Sequence, residues 1–171
     1  MRFWRDVRGV SAIEFALIAP VIIFLYLGLA EFSQGYMAKK RVSHVAAMVA
    51  DLTARRQAVK GTELDDILSI GTLLMRPFPA DTLTRRVASV TRVSATQLRI
   101  DWQRGDMGPL TLTGLTVPAG LIEDGQTLII ADAAYDYDSP VDYVLPETTR
   151  FTHRTYLRPR EIDLIPCECN K

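Results

Sequence analysis

The hydrophobic and polar positions of the chain first separate a long apolar segment from a mixed remainder. Between Val10 and Ala30 the only charged residue is Glu14. A helix of about 21 residues spans about 30 Å, which matches the hydrocarbon thickness of a bilayer. The pattern therefore predicts a transmembrane helix over residues 10–31.

After this segment the apolar residues recur every three or four positions, which is typical of a helix with one buried face. The pattern predicts an amphipathic helical stem over residues 32–60. Its apolar stripe favours packing against the protein's own sheet, and the alternative is a groove exposed to a partner. The stripe consists of Val42, Val45, Ala46, Val49 and Leu52.

A second, shorter helix is predicted after Gly61, which we expect to end the stem. Thr62 and Asp65 have the spacing of a capping box, so they are expected to begin this helix. Pro77 and Pro79 are expected to end it. Its apolar face would consist of Leu64, Ile67, Leu68 and Leu74.

Beyond the prolines the apolar period changes to two, which predicts strands. Leu98, Ile100 and Trp102 alternate with polar residues, and further strands are expected over residues 127–135 and 149–157. The glycine- and proline-rich stretch between them predicts turns and a long loop. The predicted fold class is α+β: a long amino-terminal helix, a small mainly antiparallel sheet and one accessory helix.

Positive charges near the amino terminus predict the orientation of the membrane helix. The positive-inside rule places this flank on the cytoplasmic side, so the domain over residues 61–166 is expected to be extracytoplasmic. A basic run over residues 39–41 opposes this orientation, but it lies several positions beyond the apolar segment. The basic residues of the flank are Arg2, Arg5 and Arg8, with Asp6 among them.

A cleaved secretory signal is an alternative interpretation of the same apolar segment. Gly28 and Ala30 place small residues where signal peptidase would require them, and cleavage there would release a soluble domain. The length of the apolar run and the acid at Glu14 are atypical of a signal peptide. A membrane-retained helix is therefore favoured.

Composition and motifs exclude several classes of function. The chain has 20 basic and 20 acidic residues, and the basic residues form no stripe of the kind that binds nucleic acid. Its two histidines, His44 and His153, lie in no catalytic or metal-ligand motif, so we expect a packing or surface role for both. We expect no enzyme activity, no cofactor and no small-molecule substrate.

A run of acidic residues in the last third of the chain has two interpretations. The weaker one is a calcium site, because the run lacks the glycine and the bidentate glutamate of a calcium loop. The favoured one is a solvated strand edge. The run consists of Asp132, Asp136, Asp138 and Asp142.

Two residues of the predicted membrane helix are unusual for their position. An ionised Glu14 costs a few kcal/mol within a bilayer, so either it lies in the first helical turn at the interface, where free N–H groups favour an acid, or it has a partner. Pro20 removes a backbone hydrogen bond and predicts a kink. The kink is either a simple bend or a point at which the helix straightens or melts during assembly.

The residues around Glu14 resemble a type IV prepilin leader. A basic flank ends in Gly9, and Val10 begins the sequence VSAIEF, which continues into the apolar run. In that family a prepilin peptidase cuts after the glycine, and the acid is the fifth residue of the mature chain. The resemblance implies a leader peptide over residues 1–9 and a processing and assembly site that includes Phe15. The new ammonium group of one subunit would then pair with the Glu14 carboxylate of a neighbour.

A narrower resemblance is carried by residues 12–20, AIEFALIAP, and residues 27–32, LGLAEF. These segments are similar to the opening of the TadE-like and TadG-like pseudopilins of tight-adherence (Tad) pili. The resemblance implies a minor pseudopilin of the bacterial inner membrane that acts in pilus biogenesis, surface adherence and biofilm formation. It implies the prepilin peptidase, other pilins or pseudopilins and the Tad assembly platform as partners. The alternative is a membrane-anchored envelope binding or scaffold protein with an unprocessed amino terminus.

The tail over residues 167–171 contains the two cysteines of the chain and has no counterpart in the family pattern. Cys167 and Cys169 would form a disulfide in an extracytoplasmic compartment. With a single residue between them, a mutual bond and a bond to another chain are both open. A redox-active pair is disfavoured because the spacing is not Cys-x-x-Cys.

Overall fold

The computed structural model describes residues 9–113, 115–118, 120–140, 145 and 148–169. The described residues form an α+β fold, which confirms the predicted fold class. The helices are α1 (Val10–Ala54) and α2 (Gly61–Leu74). The strands are β1 (Val59–Lys60), β2 (Thr84–Ser94), β3 (Gln97–Gly105), β4 (Thr127–Asp138), β5 (Thr148–Leu157) and β6 (Cys167–Glu168).

By their internal packing the residues belong to two compact units. The first consists of Met1–Tyr36 and Asp138–Thr149, and the second consists of Met37–Tyr137 and Arg150–Lys171. In the described part of the first unit, the apolar portion of α1 has most of its large side chains exposed. The second unit contains most of the main sheet, α2 and the later turns of α1.

The stem portion of α1 buries four of the five residues of the apolar stripe that the sequence predicts. Val42, Val45, Ala46 and Val49 are each at most 2 % exposed, Leu52 is half-buried, and Ala38, one turn before Val42, is buried as well. Their spacing of three and four residues places them on one face of the helix. The stripe is therefore packed inside the protein, and this outcome excludes the alternative of an exposed groove for these residues.

A close approach between the helices explains the glycine in the middle of α2. A Cβ atom on Gly71 would lie 3.0 Å from Cγ1 of Val45 and 2.8 Å from Cδ of Arg85. Only a residue without a side chain allows α2 to come this near to both neighbours. The buried face of α2 consists of Leu64, Ile67, Leu68 and Gly71.

The main sheet has four strands in the order β3-β2-β4-β5. β2 is antiparallel to both β3 and β4, with Val87 opposite Arg104 on one side and Ala131 on the other. A register shift follows Ser89 in the pairing with β3. A core on one sheet face contains Ala88, Val90, Leu110, Ile122, Leu128 and Ile130. The long loop predicted between β3 and β4 supplies Leu110 and Ile122 to this core.

The helical part of the stem is shorter than predicted, because α1 ends at Ala54 and not near residue 60. The carbonyl oxygen of Ala54 accepts a hydrogen bond from the Arg160 N–H at 3.0 Å. Val59 then pairs with Cys167 in a short parallel ladder between β1 and β6. Backbone partners from the distant carboxy-terminal segment thus replace the next helical hydrogen bonds.

The predicted capping box at the start of α2 is also wrong. The N-cap residue is Lys60 and its side chain makes no capping hydrogen bond, so Gly61 begins α2 instead of ending the stem. Thr62 lies within the first turn. Glu63 provides an acid in that turn, where the helix dipole favours a negative charge.

Candidate functional site

The first candidate site is the exposed amino-terminal part of α1. None of its most apolar window is buried, and α1 is long and apolar enough to cross a membrane. Within the described first unit, most large apolar side chains from Val10 to Tyr36 are about half exposed or more, and Leu27 is half-buried. Soluble proteins rarely expose so many large apolar side chains along one helix. The helix therefore fits a single-pass membrane anchor.

The predicted processing residues lie at the start of this helix. Gly9 directly precedes α1, and Val10 is its first residue. The side chains of Val10 and Phe15 are 49 % and 73 % exposed, and Glu14 is also exposed. The segment over residues 1–8, which the sequence predicts as most of a leader peptide, lies outside the described residues.

The position of Glu14 in the helix argues against its interpretation as a helix-capping acid. Because α1 begins at Val10, its first turn contains no acidic residue and Glu14 lies in the second turn. The stabilising effect of free N–H groups and of the helix dipole is largely confined to the first turn. No ion pair among the described residues includes Glu14. The fold therefore supplies no counter-charge from these residues.

Pro20 lies inside α1, and the helix continues on both sides of it. A proline cannot donate the backbone hydrogen bond to the preceding turn, so one carbonyl group there lacks its usual helical partner. Membrane helices tolerate this loss more readily than soluble helices do. The assigned role of Pro20 as a kink remains a prediction.

Glu31, a second acidic residue of α1 in the first unit, has a buried environment that the sequence did not predict. Its side chain is fully buried, and its Oε1 atom accepts hydrogen bonds from Ser139 Oγ at 2.5 Å and from the Leu145 N–H at 3.3 Å. A buried carboxylate requires such donors, because losing water without them is costly. The partners lie 108 and 114 positions away, so no local pattern could have indicated them.

Comparison with known families bears directly on this helix. The family model described as TadE-like protein matches residues 9–51. The amino-terminal segment is TadE-like. The match covers about a quarter of the chain and includes Gly9, Val10, Glu14, Phe15 and Pro20. It confirms the resemblance inferred from the sequence. No curated protein and no solved structure is significantly similar to the chain.

Outside the TadE-like segment, a second candidate site is centred on Asp132 in β4. This residue is 6 % exposed and is enclosed by Arg86 of β2 and Arg154 of β5. Arg86 donates from Nε at 3.2 Å and also from Nη2, and Arg154 donates from Nε at 2.5 Å and from Nη2 at 3.0 Å. The interaction with Asp132 raises the pKa of Arg154 above its ordinary value, so this guanidinium stays charged.

The triad of Arg86, Asp132 and Arg154 shows that one sequence interpretation of the acidic run is wrong. Asp132 is buried and paired, whereas the favoured prediction placed it on a solvated edge. Asp136 forms an ion pair with Arg150, and Asp138 accepts a hydrogen bond from Thr148. Asp142 lies outside the described residues. Among the described residues, no group of three or more acidic, histidine or cysteine side chains is arranged to hold a metal.

A third polar cluster joins α2 to the edge strand β3. Arg104 donates from Nε and Nη2 to the two oxygens of Asp65 at 2.8 and 2.7 Å, in the parallel geometry typical of strong pairs. The hydrogen bonds and charge of Arg104 lower the pKa of Asp65 from its ordinary value. Arg85 pairs in the same region with Asp106 at 3.2 Å. These two pairs line a cavity of about 490 Å³.

The cysteines and histidines complete the set of residues that the sequence identified. The Sγ atoms of Cys167 and Cys169 are bonded to each other. The sequence left open a bond between these two cysteines and a bond to another chain, and the structure has the first. Cys167 lies in β6, and Gly61 of α2 is next to the Cα atom of Cys169. His44 and His153 are both exposed. His44 lies on the stem, and His153 lines the same cavity as the triad.

Proposed function

We propose that this chain is a minor pseudopilin of a Tad-type pilus assembly system, processed by a prepilin peptidase after Gly9. In this proposal the mature protein is held in the bacterial inner membrane by α1, with its amino terminus on the cytoplasmic side and its α+β domain in the periplasm. It acts in pilus biogenesis and surface adherence, as an assembly or priming component. The work of such a protein is recognition, and we propose no enzyme activity.

The observation that carries the proposal is the TadE-like match over residues 9–51, together with the exposure of the matched apolar helix. The match begins at Gly9, the residue after which a prepilin peptidase would cut. The apolar side chains that follow are exposed in the isolated chain. Such a surface suits burial in lipid and against the helices of other pilins.

Charge pairing at the helix start gives the proposal a mechanism. Cleavage after Gly9 would create an ammonium group on Val10 and leave Glu14 as the fifth residue of the mature chain. Glu14 lies beyond the first turn of α1 and forms no ion pair among the described residues. In a medium of low dielectric constant, an ammonium group from a neighbouring subunit would stabilise this carboxylate. The pairing would stabilise the packing of one subunit's helix against that of its neighbour.

The domain that follows α1 distinguishes the proposed role from that of the bulk fibre subunit. As the resemblance implies, major subunits of this pilus class have little beyond the helix. This chain adds a four-stranded sheet, a second helix and a disulfide-containing tail. We propose that this domain contacts other pilins and the Tad assembly platform outside the cytoplasm.

Substitution of Glu14 tests this function in cells. Glu14→Ala and Glu14→Gln both remove the charge, and the glutamine variant keeps the size of the side chain. We expect normal insertion into the membrane but loss of surface pili for both variants, measured by membrane fractionation and by counting pili in electron micrographs. Ser11→Ala, an exposed change in the same helix, is the matched control and should leave piliation intact. Normal piliation in both Glu14 variants would contradict the proposal and favour the envelope scaffold alternative.

A further inference from the structure

The triad of Arg86, Asp132 and Arg154 carries an unbalanced charge in a largely desolvated place. The Arg86 and Asp132 side chains are 11 % and 7 % exposed, and that of Arg154 is 34 % exposed. Two guanidinium groups face one carboxylate, so the cluster has one surplus positive charge. A partly desolvated positive charge attracts an anion, because the surrounding protein screens it less well than bulk water does. The surplus positive charge therefore favours the binding of one additional anion.

The hydrogen bonds of the triad show where that anion would bind. Both oxygens of Asp132 accept bonds from the arginines, and Nη1 of Arg86 donates to the Gly108 carbonyl at 2.8 Å. Arg154 uses Nε and Nη2 for Asp132, and its guanidinium group also interacts with the side chain of Tyr156. A cavity of about 370 Å³ lies against the triad, and Thr152 and Met107 also contribute to its wall. Arg154 is the more exposed of the two arginines and is therefore the reachable donor.

We propose that this cavity is a binding site for a carboxylate group, held by Arg154 together with the surplus charge of the triad. A carboxylate carries the single negative charge that the triad lacks, and its two oxygens match the fork of a guanidinium group. A dianionic phosphate would bring a second negative charge close to Asp132. The apolar surfaces of Met107 and Ala133 in the same wall suit the short aliphatic part of a carboxylic acid.

Two other charged sites on the same domain provide an internal comparison. Arg150 lies on β5, as Arg154 does, but it pairs one to one with Asp136 at 3.2 Å. The larger cavity beside α2 has two arginines opposite two aspartates and therefore no surplus charge. Only the triad combines low exposure, an adjoining cavity and an excess of positive charge among these three sites. The proposal does not depend on the function proposed above.

Two sources could supply the carboxylate. One is an acidic side chain or chain terminus of a partner protein, and the other is a small free carboxylic acid. Acetate tests whether the site binds a carboxylate group at all. The N-methylamide of N-acetyl-aspartic acid carries the same group together with the flanking peptide groups of a protein chain. If the site binds an acidic residue of a partner protein, the aspartate compound should bind at least about tenfold more tightly than acetate. Equal affinity would assign the site to small acids.

The experiment is an NMR titration of the full chain in a non-ionic detergent, with the arginine Nε–Hε signals as the readout. We expect acetate at constant ionic strength to shift the Arg154 signal saturably and to leave the Arg150 signal nearly unchanged. Sodium chloride is the control for general ionic effects. No saturable shift at Arg154, or an equal response to inorganic phosphate, would overturn the proposal.

Variants separate binding from folding. Arg154→Gln leaves Arg86 and Asp132 as a neutral pair, so the fold should persist while the acetate response of the Arg86 signal falls at least about tenfold. Arg150→Gln, on the same strand, should leave the Arg154 response unchanged. If Arg154→Gln fails to fold, the titration of the unaltered protein still decides the question, because it needs no substitution. An undiminished Arg86 response in a folded Arg154→Gln variant would contradict the proposed site.

Discussion

The indole Nε1 of Trp102 donates a hydrogen bond to the carbonyl oxygen of Ile165 at 2.8 Å, and both residues are buried. The two residues are 63 positions apart. The bond attaches the carboxy-terminal segment to the edge strand β3, close in sequence to the β1–β6 ladder that begins at Cys167. The tail of the chain is therefore part of the folded domain.

Trp102→Phe tests the contribution of this bond. The substitution keeps an aromatic ring but leaves the buried Ile165 carbonyl without its donor, which costs about 1–3 kcal/mol. We expect a loss of at least this size in the free energy of unfolding, measured by urea titration of the full chain in detergent. Ser69→Ala removes the exposed 2.6 Å bond to the Asp66 carbonyl and should change the same quantity by less than about 0.5 kcal/mol. Equal effects of the two substitutions would contradict this account.

Gly105 is the position at which a backbone turn most strictly requires glycine. Its φ is +139°, and a Cβ there would overlap the Arg85 carbonyl oxygen and lie 2.7 Å from Cα of Arg86. We expect Gly105→Ala to lower the free energy of unfolding by at least about 2 kcal/mol, because strain and overlap add. Gly108 has a φ of +82° but open space around it, so Gly108→Ala should cost about 1 kcal/mol. Both variants are measured by the same urea titration.

The pair of Asp65 and Arg104 predicts a dependence of stability on acid pH. A carboxyl group whose folded-state pKa is lowered stabilises the fold fully above its unfolded-state pKa, and this stabilisation is lost as the pH falls through the folded-state pKa. For Asp65 the loss should therefore occur as the pH falls through and below the ordinary range of an aspartate pKa. The pair is exposed to solvent, so the effect should be small and reduced by salt.

Asp65→Asn is the variant that measures this effect. It should be less stable than the unaltered protein at neutral pH, and the difference should shrink as the pH is lowered from 4 towards 2. Asp66→Asn, an exposed neighbour on α2, is the matched control and should show no comparable pH-dependent difference. A stability difference for Asp65→Asn that stays constant over this range would exclude the lowered pKa as its cause.

The disulfide predicts a chain without intermolecular cross-links. Because Cys167 and Cys169 are bonded to each other, the protein purified without reductant should migrate as a monomer on denaturing gels. Peptide mapping should recover both cysteines in one unalkylated peptide that gains two alkyl groups after reduction. The closed loop is very short, so it restricts the unfolded chain little and reduction should lower stability only slightly. A reductant-sensitive dimer would instead support a bond to another chain.

The helix and the strands could be predicted from the sequence because their signals are local. The apolar run after Val10 and the alternation of Leu98, Ile100 and Trp102 depend only on near neighbours. The end of α1 was misplaced because Ala54 is bonded to Arg160, which no local pattern reveals.

Of the candidate sites, the one at Glu14 could be predicted from local sequence, whereas the triad of Arg86, Asp132 and Arg154 could not. Glu14 is conspicuous as a lone acid in an apolar segment, and the segment around it carries the family resemblance. The triad could not be predicted, because Arg86 and Asp132 are 46 positions apart and meet only through the register of β2 with β4. Without that register, Asp132 is one member of an acidic run and indicates an exposed edge.

The central claim is that the mature chain begins at Val10. The direct measurement is intact-mass and peptide mass spectrometry of the protein purified from its own membrane, in cells with an active prepilin peptidase. The account predicts an amino-terminal peptide that starts at Val10, and a Gly9 substitution such as Gly9→Leu should abolish it. A chain that starts at Glu31 would indicate a cleaved secretory signal, and peptides joining residues 1–9 to Val10 in the unaltered protein would contradict the pseudopilin assignment.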